Sequence, residues 1–233
     1  MLNFALSKIK KLKRMFFTQN KETSLNEHNL SSYNMELNEY EVNKEKNKHN
    51  LILNSFLERY NFLLKKELNQ RSLENYLIID IGAGSLLHTN YFCNYPNTVY
   101  SIEPSIKAIK IGKKIYGDLK NNILVNDFAE DGLKSIPSNE LCFFYSGHVM
   151  SHLTDDSTKV ILESINNNSS QDSYILFDEI WTHNTTVKNK LFYVRTKEFW
   201  KKSLSNFDIE FYEFENKVYD ISFFKGFFGK KVR

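Results

Sequence analysis

A chain of 233 residues, 41% hydrophobic and 25% charged, is long enough for one α/β domain with a buried core and an appendage. A formal charge of +3 is too small to indicate a polyanion, so no nucleic acid partner is expected. No apolar run approaches the ~20 residues needed to cross a bilayer. Lys8, Lys10, Lys11 and Lys13 break the N-terminus where a signal peptide needs an apolar core. Cys93 and Cys142 have no second Cys or His at ligand spacing, and read as reduced thiols of a cytoplasmic protein.

In chain order, residues 1–17 carry Leu2, Leu6, Ile9, Leu12 and Phe16 at helical spacing between basic residues. Such a stripe can lie on an anionic membrane surface, but its shortness favours packing on the domain or fraying. Thr18 to Asn50 is rich in Asn, Glu, Lys and Ser and reads as a linker. The chain therefore divides into a segment 1–50 and a domain 51–233. Leu51 to Leu68 has a helical stripe through Leu53, Phe56, Leu57, Tyr60 and Leu64. Strands follow at Tyr76–Ile81, Thr98–Ile102, Ile123–Asn126, Leu141–Tyr145 and Tyr174–Asp178, with helices at Ile106–Tyr116 and Asp155–Asn166. Lys197–Ser205 reads as a helix, and Phe207–Phe214 and Val218–Phe224 as strands joined by Glu215-Asn216-Lys217. Five parallel strands with helices on both faces, closed by an antiparallel C-terminal hairpin, define an α/β Rossmann-like sheet.

The chemistry gathers at strand ends. Ile79-Asp80-Ile81-Gly82-Ala83-Gly84-Ser85 takes a buried strand into a Gly-rich turn, where a backbone can approach a ligand closely. Glu103, just past the second strand, can accept hydrogen bonds from both ribose hydroxyls. These two features fit a nicotinamide enzyme or an S-adenosyl-L-methionine (SAM) enzyme. The turn reads Gly-x-Gly-x-Leu, with Leu86 where a third glycine would stand in that register, and position 87, where the dinucleotide fingerprint Gly-x-Gly-x-x-Gly wants its third glycine, is Leu as well. Asp80, two residues before Gly82, suits a cationic ligand group better than a pyrophosphate.

With five parallel strands and a hairpin, the chain from about Leu51 to Phe224 resembles the class I SAM-dependent methyltransferases, a seven-stranded family. The resemblance implies SAM as cofactor, with Asp80, Gly82, Ala83 and Gly84 facing its methionine part. It further implies Glu103 and Pro104 at the ribose, Asp127 and Phe128 (after Asn126) at the adenine, and Ser146 and Gly147 near the methyl group. Leu86 and the long spacing from Asp80 to Glu103 depart from the family pattern.

His148 follows directly and is the best candidate for a general base, with His183 a weaker one. They favour O-methylation of a small molecule or sugar. His148 and His152 lie four apart, but no clean ligand set accompanies them, so no metal is expected. His152 is equally a core or helix-capping histidine or a substrate contact. Arg195 and Lys188 are placed to hold an anionic acceptor. The competing classes are an NAD-type oxidoreductase and a SAM-binding protein without catalysis.

Overall fold

The computed structural model describes residues 39–67, 73–183, 186–188, 192–215 and 223–232. The basic stripe of residues 1–17 lies outside them. A long helix, α1 (Glu39–Glu67), comes first. It takes in residues 39–50 of the stretch read as linker. An apolar-periodicity test misses that part because its buried contact is a histidine, His49. An ion pair from Lys48 to Glu45 at 3.3 Å stands on its exposed side.

Five strands and four helices then alternate: β1 (Leu77–Ile81), α2 (Leu87–Phe92), β2 (Val99–Ile102), α3 (Ile106–Tyr116), β3 (Asn122–Val125), α4 (Ala129–Gly132), β4 (Cys142–Gly147), α5 (Asp155–Asn168) and β5 (Tyr174–Asp178). Ser105 and Thr154 cap α3 and α5, accepting the N–H groups of Ala108 and Ser157 at 3.2 Å each. Three short strands follow: β6 (Trp181–Thr182), β7 (Val187–Lys188) and β8 (Tyr193–Thr196). They form a small separate sheet in the stretch before α6 (Lys197–Ser203) that the sequence reading left without strands. The chain closes with β9 (Phe207–Glu215) and β10 (Phe223–Lys231).

The main sheet has seven strands in the order β3-β2-β1-β4-β5-β10-β9. The first five are parallel, and β10 runs antiparallel to both neighbours. The hairpin is thus present, with its second strand inserted beside β5 rather than at the edge. The second strand lies at Phe223–Lys231 where Val218–Phe224 was expected, residues 218–222 falling outside the described residues, and Glu215 belongs to β9, opposite Phe223, so the connection is longer than the expected three residues.

Alternation divides the core into two layers. On one face Ile79, Ile81, Phe144, Ile175, Phe177 and Phe227 pack with Ile161, Leu162 and Ile165 of α5 and Trp200 of α6. On the other, Ile78, Phe143, Leu176 and Phe228 pack with Phe56 and Tyr60 of α1 and Phe92 of α2. The parallel register aligns Ile81 with Ile102 and with Ser146, and Gly147 with Asp178. The ends of β1, β2, β4 and β5 therefore open on one edge of the sheet, where ligands bind in open α/β folds. Among the described residues no helix is long and apolar enough to cross a membrane.

Candidate functional site

The Gly turn leaves β1 in left-handed geometry, with φ 69° at Gly82 and 52° at Gly84. A Cβ at Gly82 would run into Val149 of the β4 loop, so glycine is required there for space as well as conformation. The Gly82 and Ala83 amides donate to the Ile102 carbonyl at 2.8 and 3.0 Å, tying the turn to β2. Glu103 completes the tie: its carboxylate accepts the Gly84 amide and the Ser105 amide at 2.8 Å each. Each oxygen keeps a lone pair, so a ribose diol can still bind there. Burial raises the Glu103 pKa, opposed by those two amides. Asn126 donates to the Glu103 and Pro104 carbonyls at 2.9 and 3.1 Å, adding the β3 end. Asp127 accepts the Phe128 amide at 2.8 Å, and the Phe128 ring is exposed.

Asp80 lies beneath the turn, 1% exposed. The Thr89 hydroxyl donates to it at 2.6 Å. Burial pushes its pKa up to about 7, and the nearby Glu103 adds to that. No cation pairs with it among the described residues, and a positively charged ligand group would supply one.

Sequence reasoning missed how α1 joins the site. His49 Nε2 hydrogen-bonds Ser85 Oγ at 2.8 Å and its Nδ1 hydrogen-bonds the Tyr116 hydroxyl at 2.7 Å. One side chain thus braces the Gly turn against the end of α3. Burial lowers the His49 pKa, so the ring is neutral.

Asp178 and Glu179 leave β5 on opposite faces. Asp178 receives Arg59 of α1 in a two-pronged ion pair at 3.1 and 2.7 Å, the Tyr212 hydroxyl at 2.6 Å and the Tyr145 hydroxyl at 3.2 Å. Burial pushes this carboxyl up, but Arg59 and Tyr212 pull it below the usual range. His88, beside Tyr145, is held neutral by burial, its pKa lowered to about 3. Glu179 accepts the Ser146 hydroxyl at 3.1 Å and the Met150 and Ser151 amides at 2.9 and 3.1 Å. It holds the β4 loop in place, and burial raises its pKa to about 7. The strand-end position of this acidic pair was visible in sequence; its partners were not.

The β4 loop carries His148, whose amide donates to the Asp178 carbonyl at 3.0 Å and whose φ is 62°. Burial lowers its pKa, with Asp178 acting against that, so it is neutral near pH 7. His152 ends a separate 3-10 turn and meets Phe192 edge-on, so the two histidines do not share a helix face. His183 is exposed and packs against Trp181.

Two expected contacts are corrected. The Ser146 side chain is fully buried and turned to Glu179, because position 146 faces the α5 side of the sheet. Arg195 is 0% exposed. It donates to Asp155 at 3.0 Å and to the Met150 and Leu153 carbonyls at 2.6 and 2.7 Å. It braces the β4 loop, each of its three guanidinium nitrogens donating within the protein. Lys188 lies in β7.

This strand order and cleft are those of the class I SAM-dependent methyltransferase fold. The chain is similar to a SAM-dependent methyltransferase from Archaeoglobus fulgidus, with a TM-score of 0.55 and 16% identity over 75% of this chain and 94% of that one. It is similar to the Burkholderia thailandensis 1,6-didemethyltoxoflavin N1-methyltransferase with bound S-adenosylhomocysteine: TM-score 0.56, 12% identity, 73% and 76% covered. The Synechocystis magnesium protoporphyrin IX methyltransferase with bound SAM aligns over 96% of this chain and 97% of its own, with TM-score 0.56 and 10% identity. No protein-family model and no curated protein matches the chain by sequence.

Proposed function

We propose that this chain is a SAM-dependent methyltransferase acting on a small-molecule acceptor in the cytoplasm, with residues 51–233 and the end of the preceding segment forming its domain. The observation that carries the proposal is the stitched edge: the Gly82–Gly84 turn tied through Glu103 to β2, over a buried Asp80 that has no cation beside it among the described residues. The structural neighbours named for methyl transfer to toxoflavin precursors and porphyrins support the reaction class. When bound, SAM supplies a sulfonium-activated methyl group.

The residues divide the work by position. Asp80 balances the ligand's positive charge, Glu103 accepts the ribose hydroxyls, and Asp127 and Phe128 meet the adenine. Gly82, Ala83 and Gly84 let the backbone close on the methionine part, with Gly147 at the methyl end. The chain must hold the acceptor in line with the methyl–sulfur bond, and such positioning contributes about 7–11 kcal/mol at best. For a hydroxyl acceptor, the proton passes to an imidazole nitrogen of His148, which burial keeps neutral and able to accept it. This favours O-methylation. His183 and His152 belong to the acceptor side.

Isothermal titration with S-adenosylhomocysteine tests the proposal. Wild type should bind, Gly82→Arg should not, and Glu103→Ala should bind at least tenfold more weakly. A wild type that does not bind ends it.

A further inference from the structure

Beyond the C-terminal end of β5 the chain runs through Glu179 to Trp181, the first residue of β6. The Trp181 indole N–H donates to the Gly226 carbonyl at 3.0 Å, which fixes the ring. Two ammonium groups converge on that ring: Lys197 Nζ lies 3.8 Å from its centroid and Lys225 Nζ 4.5 Å. Lys197 also lies 5.1 Å from the Phe211 ring, with Lys201 at 6.0 Å from the same ring. His183 packs on the edge of Trp181 at 5.3 Å. Glu213 pairs with Lys225 at 2.9 Å. Lys197 and Lys201 have no carboxylate partner among the described residues. Three lysines from two elements thus lie against two aromatic rings, and Glu213 pairs with one of the three.

Cation–π attraction holds each ammonium to a ring, and an anion placed among the three would be attracted to all of them. Lysine ammonium groups are compact charges that suit a phosphate or carboxylate. The place is also informative. Trp181 stands two residues beyond Glu179, and Glu179 anchors the loop that carries His148. Of Arg195 and Lys188, the two cations expected at an anionic acceptor, Arg195 is sealed in the loop brace. The cluster is confined to one spot on a chain of net charge +3, unlike the extended basic track that follows a nucleic-acid backbone.

We propose that Lys197, Lys201 and Lys225, gathered on Trp181 and Phe211, bind an oxyanion group of the methyl acceptor, a phosphate or a carboxylate. The assignment to the acceptor rests on the methyltransferase reading above.

The chain's two tryptophans provide the readout, since Lys197 and Lys225 lie on Trp181 while Trp200 faces Arg195. The full chain is titrated with inorganic phosphate and with acetate, ionic strength being held constant with sodium chloride, and tryptophan emission is followed. S-adenosylhomocysteine affinity is measured on the same samples. Wild type should show a saturable change with one of the two anions, which assigns phosphate or carboxylate. Lys197→Gln/Lys225→Gln should shift the midpoint at least tenfold, with unchanged S-adenosylhomocysteine affinity. The single variants Lys197→Gln and Lys225→Gln should each shift it less. No saturable change with either anion, or a double variant with the wild-type midpoint, would overturn the proposal. Failure to bind S-adenosylhomocysteine would overturn the methyltransferase reading. Failure of the anion titration in a protein that binds it overturns the oxyanion site alone.

Discussion

Leu86 takes its place in the Gly turn because Gly112 leaves room for it. Leu86 has φ 61°, is 1% exposed, and lies where a Cβ on Gly112 of α3 would come within 2.7 Å of its Cγ. The third glycine of a dinucleotide turn serves close packing of helix on strand. Here the small residue sits on the neighbouring helix instead. Gly→Ala inside a helix ordinarily stabilises by roughly 0.5–1 kcal/mol. Gly112→Ala should instead destabilise by about 1–3 kcal/mol through overpacking. In a denaturant double-mutant cycle, Leu86→Ala should relieve part of that cost. The remainder stays because the Ser85 carbonyl is equally close to a Cβ at Gly112.

Arg195→Ala should act on stability. The side chain links β8 to the Met150 and Leu153 carbonyls and to Asp155, and its loss leaves buried acceptors unmatched. The expected cost is about 3 kcal/mol. Thermal unfolding checks it; a variant of unchanged stability would refute the brace.

Asp80 predicts a pH dependence of ligand binding. Its folded pKa of about 7 lies above the ordinary carboxylate value. It is mostly protonated at pH 6 and mostly ionised at pH 8, so a cationic ligand should bind up to about tenfold more tightly at pH 8. Asp80→Asn should bind weakly and without this slope. For stability the sign is opposite. The raised folded pKa contributes stability that is full below the unfolded pKa and is lost as pH rises through about 7. Asp80→Asn should therefore flatten that decline in thermal unfolding between pH 4 and pH 7.

The Arg59–Asp178 pair holds α1 on the sheet. Either side chain removed alone leaves a buried charge, with a cost of about 3–5 kcal/mol. The double variant Arg59→Met/Asp178→Leu should lose less than the sum of the two. Hydrogen exchange should show α1 opening in each single variant.

His148→Asn removes the base while keeping a residue that tolerates a left-handed backbone. Turnover of a hydroxyl acceptor should fall about 10²–10⁴-fold. S-adenosylhomocysteine affinity should hold. An equal fall in both would assign His148 to the cofactor and not to the proton.

The alternation of apolar strands with helices, the Gly turn and the acid after β2 are local patterns, and they lie in the sequence as written. The strands at Tyr174–Asp178 and the helix at Ile106–Tyr116 carry their bounds in their own periodicity. Ser146 and Arg195 were harder to place for a different reason. Both types of side chain serve ligands and structure alike, and only the partners decide between them. For Arg195 those partners are loop carbonyls more than forty residues away in the chain.

The order of elements and the polar residues at the strand ends are local properties, because hydrophobic periods of 2 and 3.6 act over a few residues. The tertiary structure alone decided the insertion of β10 beside β5, the pairing of Arg59 with Asp178 across 119 positions, and the bracing of Ser85 by His49. Such contacts depend on which surfaces meet once the sheet is packed, and no local period encodes them. The Gly turn could be read from seven consecutive residues. The space that admits Leu86 within it belongs to a helix elsewhere in the fold.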